Sequence, residues 1–342
     1  MIIQSEQIYL IIFFLFLNFA IFYNLKLIST LINIYDYPDK KRKIHKFATP
    51  LLGGIFFYIN SVLFIIYSIL LENNVNLLFN LSLESFLVFF IAFTSIFVIG
   101  LIDDKYSISA NKKFILIFFI VLVTILLVDD LQIKSIKFSF LSFEYDMGIL
   151  SIPFTVLSIL LFINAINMFD GINTQIASYI IFILIYFLSN SIEPLYSLTL
   201  LFYLLYFLLF NSKDKIFMGD SGTLPISFLL SIIFINSYNQ NLILFADEIY
   251  ILMAIPGLEL IRLFIIRAYK KRNPFSADRN HIHHYLTSIY PLSKSIALLM
   301  TLVFLPFLMG LYMQNYLTSI FLSFFLYSTL ILYLMKRSQN DE

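Results

Sequence analysis

The chain has no cysteine and no tryptophan, and only 13% of its 342 residues are charged. Without cysteine there are no disulfides, no thiolate metal sites and no cysteine nucleophile. Without tryptophan, any aromatic belt at a membrane interface falls to the 22 tyrosines. A formal net charge of +1 gives no strongly basic face, so no nucleic-acid partner is expected. No Pro/Gly/Ser-rich linker or low-complexity tail separates one domain from another.

What the chain does have is apolar length. Hydrophobic residues make up 60% of it, 40 of them phenylalanine, and runs of about twenty recur from end to end. A soluble domain of this composition would expose too much apolar surface. The runs are continuous, not alternating, which argues against a β-barrel. The expected fold is an all-α polytopic integral membrane protein, a single transmembrane domain over 1–342. About eleven spans are expected, near 8–31, 51–71, 83–102, 113–128, 149–166, 175–190, 194–211, 223–239, 247–267, 294–313 and 316–335. The run from Ile8 to Leu31 is longer than a signal-peptide core and follows no basic segment, so it reads as a retained first helix.

Lysine and arginine set the orientation. They collect in 33–50, in 103–113, at Lys213 and Lys215, in 267–294 and in the C-terminal tail. The opposite loops hold Lys134 and Lys137. The N-terminus is therefore expected outside and the C-terminus in the cytoplasm. Cytoplasmic loops then fall at about 32–50, 103–112, 167–174, 212–222 and 268–293. Every polar cluster lies on that side. A transporter places its key polar groups near the midplane, whereas a site at one interface suits a soluble substrate meeting a lipid one.

Asp103 and Asp104 end the third span in "GLIDDKYSISANKKF". The helix macrodipole disfavours anions at a C-terminus, so the pair calls for a cation or a proton. Lys113, at the start of the next helix, could hold a phosphate as a point charge. In "NAINMFDGINTQ", Asn164, Asn167 and Asp170 fall at i, i+3 and i+6 and drift only modestly around one helix face. Asparagine inside an apolar span is costly unless it has a task; Asp170-Gly171 alone would be a turn. "MGDSGT" sets Asp220 between glycines just before a helix, a weak signal by itself for an anion or metal site. In "NPFSADRNHIHH", Arg279, His281, His283 and His284 share one short polar stretch. The neighbouring positive charge suits phosphate better than a metal. His45 and Lys46 sit in the basic first loop, which by itself is only a positive-inside loop. In the ninth span Pro256-Gly257 should bend or break the helix, and Glu259 and Arg262 at i, i+3 are placed to pair.

These motifs, in this order over about residues 36–290, resemble the polyprenyl-phosphate N-acetylhexosamine-1-phosphate transferase family. The H-x-H-H pattern is similar to the branch that starts O-antigen, teichoic-acid and related glycans. The muramoyl-pentapeptide transferases of peptidoglycan synthesis carry consecutive histidines instead. The resemblance implies a plasma-membrane (inner-membrane) enzyme with its active site facing the cytoplasm. Its substrates would be a UDP-sugar and polyprenyl (undecaprenyl) phosphate. The cofactor would be Mg²⁺, with Mn²⁺ as a substitute, and a homodimer is left open. It implies a catalytic role for Asp103 and Asp104 and metal ligation by Asn167 and Asp220. Substrate contacts would come from His45, Lys46, Lys113, Asn164, Asp170, Arg279, His281, His283 and His284. Two positions depart from the family pattern: Asn173 replaces the second aspartate of its D-G-[LI]-D-G run, and Thr223 replaces a serine. A muramoyl-pentapeptide transferase, which the histidine pattern disfavours, a transporter or flippase, and an inactive scaffolding homologue are the rival readings.

Overall fold

The computed structural model describes residues 5–38, 47–71, 78–273, 280–313 and 315–340. In chain order the elements are α1 (Ser5–Tyr23), α2 (Leu25–Ile32), β1 (Tyr35–Asp36), β2 (Thr49–Pro50), α3 (Gly53–Leu71), α4 (Leu83–Tyr106) and α5 (Ala110–Leu127). A short hairpin of β3 (Ser135–Lys137) and β4 (Glu144–Asp146) follows. Then come α6 (Ser151–Phe169), α7 (Gln175–Ser189), α8 (Pro194–Asn211), α9 (Asp220–Asn239), α10 (Ala246–Tyr269), α11 (Ile282–Ile289), α12 (Leu292–Met313) and α13 (Tyr316–Asn340).

The chain is an all-α membrane bundle. Among the described residues nine helices are long and apolar enough to cross a bilayer. Two other expected spans take different forms. The first is bent by 67° between α1 and α2, and the sixth, α7, is a helix of only 15 residues.

Helix α9 is the axis. Its apolar stretch is 94% buried, against 22% for α5 and 28% for α13, so α9 is walled by protein and the other two face lipid. Helices α3, α4 and α6 pack around it. Close approach at its start depends on small residues: a Cβ on Gly54 would lie 2.2 Å from the backbone nitrogen of Gly222. The chain entering α3 is also tied to the loop before α9, with Gly53 and Gly54 donating to the carbonyls of Phe217 (3.0 Å) and Met218 (2.9 Å).

Helix α10 does not break at Pro256-Gly257 but runs as one helix through it. Proline has no N–H for the carbonyl four residues back. That carbonyl, on Leu252, instead accepts from the Tyr179 hydroxyl at 2.9 Å, so a neighbouring helix restores the lost bond.

Candidate active site

Helix α4 ends because Ser107 turns into the left-handed region (φ 55°) and returns its N–H to the Asp103 carbonyl. Two carboxylates at that C-terminus oppose its macrodipole. The start of α9 compensates for one of them. Asp104 accepts from the backbone N–H of Asp220 (2.7 Å) on one oxygen and of Ser221 (3.0 Å) on the other. It therefore caps α9 from a different helix, satisfying two donors that α9 cannot bond itself. Gly219 allows this. Its φ is +69°, and a Cβ there would lie 2.5 Å from an Asp104 carboxylate oxygen.

Asp103 is held differently. One oxygen accepts from Ile108 N (2.7 Å) and the other from the Lys113 ammonium (3.0 Å). Lys113 also bonds to Asp220, so one ammonium bridges two carboxylates. The other Asp220 oxygen accepts from the Asn167 amide at 3.1 Å, and that amide also donates to Thr223 Oγ1 at 2.8 Å. Thr223 thus supplies the hydroxyl that a serine would, and the departure is conservative in its bonding.

Asp170 caps α6 beside this group. Burial, then the charges of Asp220 and Asp104, push its carboxyl up to about 7. Gly171 follows, packed against the histidine segment: a Cβ there would meet the His283 ring at 2.0 Å. His281, His283 and His284 cluster at the start of α11: the His281 and His283 rings stack with centroids 5.1 Å apart, and the His284 ring is tilted against His283 at 4.4 Å. Burial among these rings holds His283 well below the usual histidine range, so its ring is neutral at pH 7.

The structure therefore gathers Asp103, Asp104, Lys113, Asn167, Asp170 and Asp220 at one end of the bundle, with the histidines against them across Gly171. Among the described residues it does not bring Asn164 in by any hydrogen bond; that amide donates to Leu160 O of its own helix at 2.7 Å. His45, Lys46 and Arg279 lie outside the described residues.

A cavity of about 640 Å³ opens beside the cluster, lined by Asp36, Asp170, Gly171, Asn173, Asp214 and His284 among others. Asn173 bonds to the Asp214 carboxylate on its wall. Asp214 carried no motif of its own in the sequence. Asn211 was missed too: buried, it accepts from Thr174 N and donates to Ile216 O, tying the D-G turn to the loop before α9. An asparagine closing an apolar span was the available signal.

The model of glycosyl transferase family 4 matches residues 86–238. The chain is 30% identical over 271 residues to a Bacillus subtilis (strain 168) protein named "Probable undecaprenyl-phosphate N-acetylglucosaminyl 1-phosphate transferase", covering 76% of this chain and 72% of that one. This chain belongs to the polyprenyl-phosphate N-acetylhexosamine-1-phosphate transferase family. It is also 25% identical over 312 residues to the undecaprenyl-phosphate alpha-N-acetylglucosaminyl 1-phosphate transferase of Yersinia pestis, covering 87% and 80%. The same identity holds over 310 residues with the similarly named protein of Escherichia coli K12, covering 86% and 79%. The match to the transferase family takes in α4 from Phe86 to α9, the stretch that carries all four aspartates.

Proposed function

We propose that this chain transfers a sugar 1-phosphate, with N-acetylhexosamine as the sugar, from a UDP-sugar to undecaprenyl phosphate. An oxygen of the lipid phosphate attacks the β-phosphorus of the donor. The bond from that phosphorus to the bridging oxygen breaks, and UMP leaves with the bond's electron pair. The products are undecaprenyl diphosphate-sugar and UMP. The names of the relatives make N-acetylglucosamine the first sugar to test.

The observation that carries this reading is the gathering of four aspartates, Asp103, Asp104, Asp170 and Asp220, with a histidine segment at one end of a membrane bundle, where Lys113 bonds to Asp103 and Asp220. Such an excess of negative charge favours a further cation. Among the described residues no three of His, Asp and Glu form a ready-made metal cage. Mg²⁺ does not need one, since it is commonly held by one or two carboxylates together with substrate phosphates and water. Asp103 and Asp220 already share a cation position, because both bond to the Lys113 ammonium. Those two carboxylates, with the Asn167 amide turned to present its oxygen, would hold Mg²⁺. The ion would neutralise the diphosphate and stabilise the leaving UMP. Lys113 would then be released towards phosphate as a point charge. Asp104, bonded on both oxygens by α9, fixes where Asp220 stands, and the histidines donate to the donor's diphosphate. The lysine and arginine asymmetry supports a cytoplasmic site and a C-terminus on that side.

The test is UMP release by the purified protein with undecaprenyl phosphate, Mg²⁺ and a panel of UDP-N-acetylhexosamines. Release that requires lipid and metal and is abolished in Asp220→Ala is the expected result. No release with any of these donors, from folded protein, would refute the reading.

A further inference from the structure

The histidine segment is held from behind by an ion pair on α10. Glu259 Oε1 accepts from the backbone N–H of Ile282 at 2.8 Å and from Arg262 Nη2 at 2.8 Å. Glu259 Oε2 accepts from Arg262 Nε at 3.1 Å and from the Tyr327 hydroxyl. Arg262 Nη2 also donates to the carbonyl of Asn280. The pair thus grips the backbone on both sides of His281: the carbonyl of the residue before it and the N–H of the residue after it. The Glu259 carboxylate also lies 3.9 Å from His281 Nδ1.

Glu259 is only 1% exposed. Burying a carboxylate and a guanidinium is expensive, and an apolar pair of similar volume often stabilises as well or better. Packing alone therefore gives little reason for this pair. Its distinguishing property is geometric: one carboxylate oxygen and one arm of a planar fork each bond to backbone at a set position, and the other oxygen and Nε lock the two side chains together. Tyr327 from α13 completes the arrangement, so the register of the histidine segment is fixed by two helices.

We propose that Glu259, through Arg262 and Tyr327, is a positioning residue that sets the register of His281, His283 and His284 against the donor's diphosphate. This rests on the transferase reading above. It assigns to the pair a role in donor affinity and none in lipid affinity, because the pair bonds to the histidine segment and not to the aspartate cluster.

The test compares wild type with Glu259→Gln and with the double variant Glu259→Met/Arg262→Met, which removes both buried charges and so leaves neither uncompensated. KM for the UDP-sugar and for undecaprenyl phosphate are measured, together with equilibrium binding of UDP, which needs no turnover. The expected result is a folded double variant whose donor KM and UDP dissociation constant rise about tenfold or more, with the lipid KM within twofold of wild type. Glu259→Gln, which keeps an acceptor for Ile282, falls between. A folded double variant with donor KM and UDP binding within twofold of wild type would overturn the proposal. So would a loss of folded protein in which the surviving molecules keep both KM values. A wild type that neither releases UMP nor binds UDP would instead refute the transferase reading itself.

Discussion

Asp103 and Asp104 are neighbours of identical chemistry, yet replacing each with asparagine should have different consequences for stability. Asp104 bonds to two backbone N–H groups of α9. An amide can accept from one of them and turns its own N–H against the other. The change weakens one bond from charge-assisted to neutral and leaves one donor unpaired, costs of about 1 kcal/mol and about 1–3 kcal/mol. Removing a negative charge beside Asp220 offsets part of that, leaving a net loss of about 1–3 kcal/mol. Asp103 bonds to one backbone N–H and to Lys113, in a pair whose side chains are 16% and 19% exposed. Its asparagine variant keeps the acceptor for Ile108 and weakens a partly solvated ion pair, a loss below about 1 kcal/mol. Thermal unfolding of both variants in one detergent, with chelator present so that no metal contributes, should give Asp104→Asn the lower midpoint. Both should lose UMP release. If Asp104→Asn melts at or above Asp103→Asn, the account of Asp104 as the trans cap of α9 is wrong.

Asp170→Asn should stabilise the metal-free protein in a pH-dependent way. With its carboxyl raised to about 7, native Asp170 keeps its proton while the unfolded chain releases it near pH 4. Wild-type stability therefore falls between about pH 4 and pH 7 and is flat above. The melting advantage of Asp170→Asn should be absent at pH 4 and full at pH 8; an advantage independent of pH would contradict the assignment. Gly171→Ala, whose Cβ would overlap the His283 ring, should displace the histidine segment and raise the donor KM more than the lipid KM. Thr223→Ser should retain UMP release and Thr223→Val lose most of it, since only the former keeps the acceptor for Asn167; equal activity in the two would remove Thr223 from the site.

The bundle was readable in the sequence because each apolar run reports its own surroundings. That logic places all eleven apolar segments, but it carries no information on length lost to a bend or a short helix, as in α1–α2 and α7. For Pro256 it gives the cost and not the remedy, and the helix runs through without a break. Local rules see a missing N–H, and only the tertiary structure supplies the Tyr179 hydroxyl that repairs it. Among the site residues, Asn164 was grouped with Asn167 by spacing. Spacing gives a face and not a partner, and the Asn164 amide turns back onto its own helix.

Asp103-Asp104 shows why an apparent fault in a sequence can locate a site. Anions at the C-terminus of α4 are unfavourable taken as one helix, and the N–H of Ile108 nearby in the sequence reaches only Asp103. The correction comes from a second helix whose N-terminus meets that end, where Asp104 takes two of its N–H groups, and from Lys113 at the head of a third. The compensation is unequal, since Asp170 and Asp220 are drawn into the same region. What is left is a concentration of negative charge, of which Asp170 lines a cavity, with a neutral His283 beside it. A fold selected for stability alone would have no reason to assemble that, because each added carboxylate raises the cost of the others. A group that must bind a cation and a diphosphate together gains from it, since the unbound state carries the repulsion that binding relieves.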